Sequence, residues 1–261
     1  MNTKTKMLGN RATKIGHSAM GKCALTTLVA LGSLSATVDG AAAVLTFDSG
    51  PINVAVPDDD SSGLASVIQV SGQNDLISDL KVRLNLTADQ GAGFNGDLYA
   101  YLSHDTIDGF TVLLNRPGRT SSNPIGTDGS GLSPVTFEDE AANGDVHLYE
   151  HTLGTAFNAG DPLTGTWQPD GRNVDPAVAL DTDSRTAFLS SFNGQAPNGE
   201  WTLFVADVAS GGVVTLSDWG LDITVTTVPE PHHALWLGLG LGYFAFRQRR
   251  SPRRNPAVSE A

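Results

Sequence analysis

Between residues 57 and 227 the apolar positions recur with a period of two. Leu80, Val82, Leu84 and Leu86 alternate with Lys81, Arg83, Asn85 and Thr87, so a strand here buries one face and wets the other. Shorter runs of the same kind stand at Val67–Val70, Asp97–Leu102, Thr111–Asn115, Trp201–Ala206 and Trp219–Val225, separated by Gly, Asn, Asp and Pro. No part of this stretch has the 3.6-residue spacing of a long amphipathic helix. Strands wetted on one side must pair their dry sides across a core, which predicts an all-β, jelly-roll-like β-sandwich. Trp201 and Trp219 fall in phase with Leu203, Val205, Leu221 and Ile223 and are expected in that core. The stretch from about Asn143 to Asp183 is rich in Gly, Pro and Asp and is expected to form long surface loops. Trp167, within it, is the aromatic expected to meet a ligand.

The two ends of the chain are patterned differently. Lys4, Lys6, Arg11, Lys14 and Lys22 precede an apolar run from Ala24 to about Val38, and no acid occurs before Asp39. Small residues Ala41 to Ala43 follow, so residues 1–43 read as a signal-peptide helix cut by signal peptidase between Ala43 and Val44. The run falls short of the roughly 20 apolar residues of a spanning helix, and Gly32 interrupts it. At the far end Val228, Pro229, Glu230 and Pro231 precede an apolar stretch from Ala234 to Phe246, and then Arg247, Arg249, Arg250, Arg253 and Arg254. The positive-inside rule keeps those arginines in the cytoplasm and the bulk of the chain across the membrane. The expected division is a signal peptide (1–43), a lead-in (44–56), the sandwich (57–227), a sorting segment (228–254) and a polar tail (255–261). The order of Pro-Glu-Pro, hydrophobic helix and arginine cluster resembles the PEP-CTERM sorting signal. That resemblance implies processing by an exosortase-type protease and a transient membrane anchor through the C-terminal helix. It implies a cell-surface or extracellular destination in a Gram-negative-type bacterium.

Charge narrows the partners. Over residues 44–227, 25 Asp and Glu face 6 Lys and Arg, a net charge of −19. Such a surface repels phosphate backbones, which excludes nucleic acid. The one cysteine, Cys23, lies in the signal peptide, so the exported domain has no disulfide and relies on its apolar core.

Read in order, further segments carry a family resemblance. They are Asn95–Leu102, Leu113–Gly118, Phe137–Ala141, Leu189–Gly194, Asn198–Asp207 and Leu216–Ile223. Together they resemble the P domain of proprotein convertases, most specifically in Gly199-Glu200-Trp201-Thr202-Leu203-Phe204-Val205-Ala206-Asp207 followed by Trp219. The resemblance covers about Pro57 to Val225 and implies a jelly-roll sandwich. In that family the domain supports a neighbouring subtilisin-like catalytic domain, which has no counterpart in this chain.

Catalytic constellations fare poorly. No Gly-x-Ser-x-Gly pentad occurs, and Ser130 within Asp128-Gly129-Ser130-Gly131 has an ordinary loop composition. His147-Leu148-Tyr149-Glu150-His151 matches the H-x-x-E-H string of zinc proteases. The window is short for a helix, and as a strand it would hold its imidazoles about 13 Å apart, so two exposed loop histidines are expected instead. Carboxylate runs are the candidates for calcium: Asp58, Asp59 and Asp60, and Glu138 with Asp139. P domains often hold calcium in such loops, so the resemblance points the same way. The expected function is a non-catalytic surface or matrix module. The alternative is a binding or accessory module for a protease or an extracellular polysaccharide, and a hydrolase comes last.

Overall fold

The computed structural model describes residues 42–88, 93–106 and 108–226. The signal peptide up to residue 41, the sorting residues Val228, Pro229, Glu230, Pro231, Arg247, Arg249 and Arg250, and the C-terminal helix lie outside the described residues.

Among the described residues, ten strands make two sheets. They are β1 (Ala42–Asp48), β2 (Val54–Ala55), β3 (Asp60–Val70), β4 (Leu76–Ala88), β5 (Leu98–His104), β6 (Phe110–Asn115), β7 (Leu132–Phe137), β8 (Leu163–Trp167), β9 (Gly199–Asp207) and β10 (Val214–Thr226). The six-stranded sheet runs β1-β10-β4-β7-β8, with β2 also on β10, and the four-stranded sheet runs β3-β9-β5-β6. All pairs are antiparallel except β7 with β8. The arrangement is a β-sandwich.

The alternation read from the sequence fills its centre. Leu80, Val82, Leu84 and Leu86 of β4 and Trp219, Leu221, Ile223 and Val225 of β10 are buried together with Leu98, Ala100, Leu102, Trp201, Leu203 and Val205 of the facing sheet. Trp219 crosses the core: its indole N–H donates to Ser66 Oγ at 2.9 Å, joining the sheets. Trp201 donates to the Pro197 carbonyl at 2.9 Å, so neither buried ring leaves a polar atom unpaired.

The stretch expected as a lead-in supplies β1 and β2. Ala43 and Val44, the expected cleavage pair, lie within β1 opposite Val225 and Thr224, and Ala42 pairs with Thr226. The described chain therefore enters and leaves the sandwich at one pole.

Residues 143–183 depart from the expected surface loops. They form a helical stretch, Val146–Leu148 continuing as α1 (Tyr149–Leu153), and strand β8. Tyr149, Trp167, Asp170 and Arg172 within them are buried. The reason is tertiary: β8 extends the six-stranded sheet, and the chain after it packs on β6, with Asp170 N–H donating to the Leu113 carbonyl at 3.1 Å. Among the described residues no helix is long and apolar enough to cross a membrane.

Candidate functional site

Three constellations hold polar or aromatic groups that the core does not demand. The first lies under the 143–186 segment. His147 is buried, with Nδ1 2.8 Å from Asp170 Oδ2 and Nε2 2.9 Å from the Arg119 carbonyl. Asp170 also accepts from Arg172 Nη1 at 3.1 Å, and Arg172 Nη2 donates to Asp145 at 2.8 Å. Burial would depress the His147 pKa, but the Asp170 carboxylate and the Arg119 carbonyl outweigh it and raise it. Both ring nitrogens face acceptors, so the site suits an imidazolium. The expected pair of exposed loop histidines is thus half wrong: His151 is exposed on α1, whereas His147 is an internal clasp. The window is helical because Asp145 accepts the His147 N–H at 2.9 Å, and Gly154, at φ +65°, closes the turn. Glu150, the general base of the zinc string, accepts from Thr127 Oγ1 and the Phe157 N–H. Two of that string's three functional members, His147 and Glu150, are thus held by other partners.

The second constellation is acidic and lies where β5 and β9 meet at the pole away from Ala42. Arg116, itself at φ +53°, donates from Nε to the Gly96 carbonyl at 2.9 Å and from Nη2 to Asp97 at 3.2 Å. Asp207 is fully buried beside them, its Oδ2 without a hydrogen-bond partner. Burial pushes Asp97 up to about 6 against the pull of Arg116. Asp207 rises to about 7 through burial, with Asp97 and Asp58 adding to it. One guanidinium faces two buried carboxyls and hydrogen-bonds only Asp97 of the two, so burial holds both well above the ordinary carboxylate range.

The calcium candidates do not come together. Asp58 accepts the Gly211 N–H, and Asp60 accepts the Ser62 N–H at the start of β3. Glu138 pairs with Lys81 beside the other sheet, and both oxygens of Asp139 cap the turn at Leu189 and Ser190. Asp59 is exposed at φ +52°. Among the described residues no group of three or more His, Cys, Asp or Glu is arranged to hold a metal ion. Calcium at the candidate residues does not fit. Ser130 is buried, with its hydroxyl directed at the Asp128 carbonyl. Trp167, expected at a ligand surface, is 1% exposed and donates to the Thr164 carbonyl at 2.9 Å, because β8 turns it into the core.

The third constellation was not singled out from the sequence. On the outer side of the four-stranded sheet, Tyr99 and Tyr101 of β5, Phe110 of β6 and Phe204 of β9 stand partly exposed. Tyr101 and Phe204, register partners, stack at 4.8 Å with 18° between their planes, and Phe110 lies 5.2 Å from Tyr101. Ala65 and Val67 of β3 continue the patch, both exposed. Gly63 makes room for it, since a side chain there would begin 2.6 Å from the end of the Phe204 ring. The signal was present in Leu98-Tyr99-Ala100-Tyr101-Leu102, where the second phase of the alternation is aromatic rather than polar.

Comparison with known proteins assigns no family: no family model and no curated protein matches the chain. Among solved structures, it is similar to the crystal structure of an Aeromonas sobria serine protease in complex with its chaperone, at 16% identity and a TM-score of 0.37. The match covers 72% of this chain and 28% of that one.

Proposed function

We propose that this chain is an exported, non-catalytic β-sandwich module that works by docking another molecule on the outer face of its four-stranded sheet. One observation carries the reading: Tyr99, Tyr101, Phe110 and Phe204 stay partly exposed and contiguous on a domain otherwise crowded with carboxylates. Contiguous apolar patches on soluble surfaces mark contact sites far more often than scattered apolar residues do. The strand order supports a jelly roll, since β1-β10-β4-β7 and β3-β9-β5-β6 draw alternately on two sheets, and the P-domain resemblance supports it too. For export, the support is the resemblance of the two flanks to a signal peptide and a PEP-CTERM segment. Because Ala42 pairs with Thr226, the described chain begins and ends at one pole of the sandwich, away from the aromatic sheet face.

The test is to express the full chain, wild type and F204D, in a host with an exosortase-type protease. Both are expected to appear outside the cell, trimmed to start near Val44 and end near Pro229 by mass spectrometry, with only wild type retained at the surface. Equal retention of the two would contradict docking by this face. Untrimmed chain with Met1 and the arginine tail would contradict the sorting route.

A further inference from the structure

We infer that the partner taken by this face is a protein surface with an apolar centre and a rim of lysine or arginine; the inference rests on the docking reading above. Four strands about 4.8 Å apart and about seven residues long at 3.3 Å each give a face of roughly 450 Å². A standard interface covers about 800 Å² on each partner, so a stable partner must reach past the aromatics onto what surrounds them. What surrounds them is acidic. Glu200 of β9 is exposed on the same face, and Asp105 joins it just past β5: its carboxylate accepts the Glu200 N–H at 2.9 Å, and its own N–H donates to the Glu200 carbonyl at 3.1 Å. At the other end Asp175 is exposed near Tyr99, whose phenol pKa is raised first by burial and further by the Asp175 carboxylate.

A second copy of this chain does not match that rim. The domain has six bases, and each is held internally. Lys81 pairs with Glu138, Arg83 with Asp48 and Asp222, Arg116 with Asp97, and Arg172 with Asp145 and Asp170. Arg119 donates to the Pro176 carbonyl, and Arg185 donates to carbonyls at residues 169 and 170 over the Phe188 ring. Two copies of the described domain meeting here would bring acid against acid, with five of its six bases already in ion pairs. A sugar fits poorly for a different reason. Tyr101 and Phe204 stack on each other, and Phe110 and Tyr99 crowd Tyr101 at 5.2 and 5.9 Å, whereas a pyranose stacks on an open ring face.

The experiment measures binding to the full chain in detergent with four probes. They are a peptide with a Phe/Leu centre and lysine flanks, the same peptide with glutamate flanks, a lysine-only peptide, and a neutral glucan. Self-association is followed by sedimentation. The lysine-flanked peptide is expected to bind. F204D and Y101Q, each first shown to melt cooperatively, are expected to weaken it at least tenfold. The double change E200K/D175K is expected to weaken it several-fold and flatten its salt dependence, while lysine-only binding does not respond to F204D. Equal binding of the glutamate-flanked peptide, Phe204-dependent glucan binding, or Phe204-dependent dimers would overturn the basic-rimmed partner and leave the docking face standing. If no probe and no self-association depends on Phe204 or Tyr101, both readings fall.

Discussion

Across the six-stranded sheet the outward positions of β4 read Asp79, Lys81, Arg83, Asn85 and Thr87. Across the four-stranded sheet those of β5 and β9 read Tyr99, Tyr101, Ser103 and Thr202, Phe204, Ala206. On the first, charges pair across strands: Arg83 bridges Asp48 at 2.7 Å and Asp222 at 3.1 Å, and Asn85 donates to Asp218 at 2.9 Å. On the second, rings stack on rings. Burial of the core asks only that the inner phase of each strand be apolar, and both sheets meet that demand. Folding therefore leaves the outer phase free, and a sheet whose outer phase is aromatic carries a feature that the core did not require. That excess is what points to contact.

The largest expected effects test whether one core underlies both faces. Trp201→Ala under the four-stranded sheet and Trp219→Ala under the six-stranded one should each cost about 3–5 kcal/mol in urea unfolding, since both leave a large cavity. A loss confined to one of them would mean that the sheets do not share a core, and the comparison would fail.

Next in size is a pH effect that belongs to the four-stranded sheet. Asp97 and Asp207, beside and at the ends of β5 and β9, titrate in the folded state near 6 and 7, above the ordinary value of 3.8. The folded protein then binds protons that the unfolded chain has released. Stability is fullest below about pH 4 for these two groups and is lost as pH rises through 6 and 7. His147 works in the same direction, because its raised pKa gives stability that is lost as pH climbs past its folded value. Melting should fall between pH 5 and pH 8, by about 2–4 kcal/mol in stability. Asp207→Asn should remove most of that slope, and Arg83→Ala, on the other sheet, should not change it. An unchanged slope in the Asp207 variant would assign the pH response elsewhere.

Smaller effects separate structural acids from binding ones. Asp139→Ala should cost about 1 kcal/mol by uncapping the turn at Leu189, equally with calcium and with chelator. A calcium-dependent loss would restore Asp139 as a ligand. Smallest of all, Arg83→Ala should change stability by about 1 kcal/mol or less, as for other half-exposed ion pairs, and leave surface retention intact.

What could be read from the sequence follows the same division. Strands whose outer phase is polar, β4 above all, announce themselves by alternation, and the two core tryptophans follow from their phase. β7 hides because Pro134 interrupts Leu132–Phe137, and β8 because five residues with a central Gly165 carry almost no period. Trp167 reads as exposed from its Gly- and Pro-rich surroundings and is buried by pairing with a strand 30 residues earlier, which no local pattern encodes. His147 depends in the same way on Asp170, 23 residues on. The aromatic face was legible in principle. Leu98–Leu102 has no polar position at all, and reading its inner phase as core left the outer phase unexplained.

The most direct measurement is hydroxyl-radical footprinting of the exported chain at the cell surface and after purification. Protection in place is expected at Tyr99, Tyr101, Phe110 and Phe204, lifting on purification, while the side chains around Lys81 and Arg83 react equally in both. Protection of the Lys81 and Arg83 face, with the four aromatics equally reactive in both states, would contradict the account.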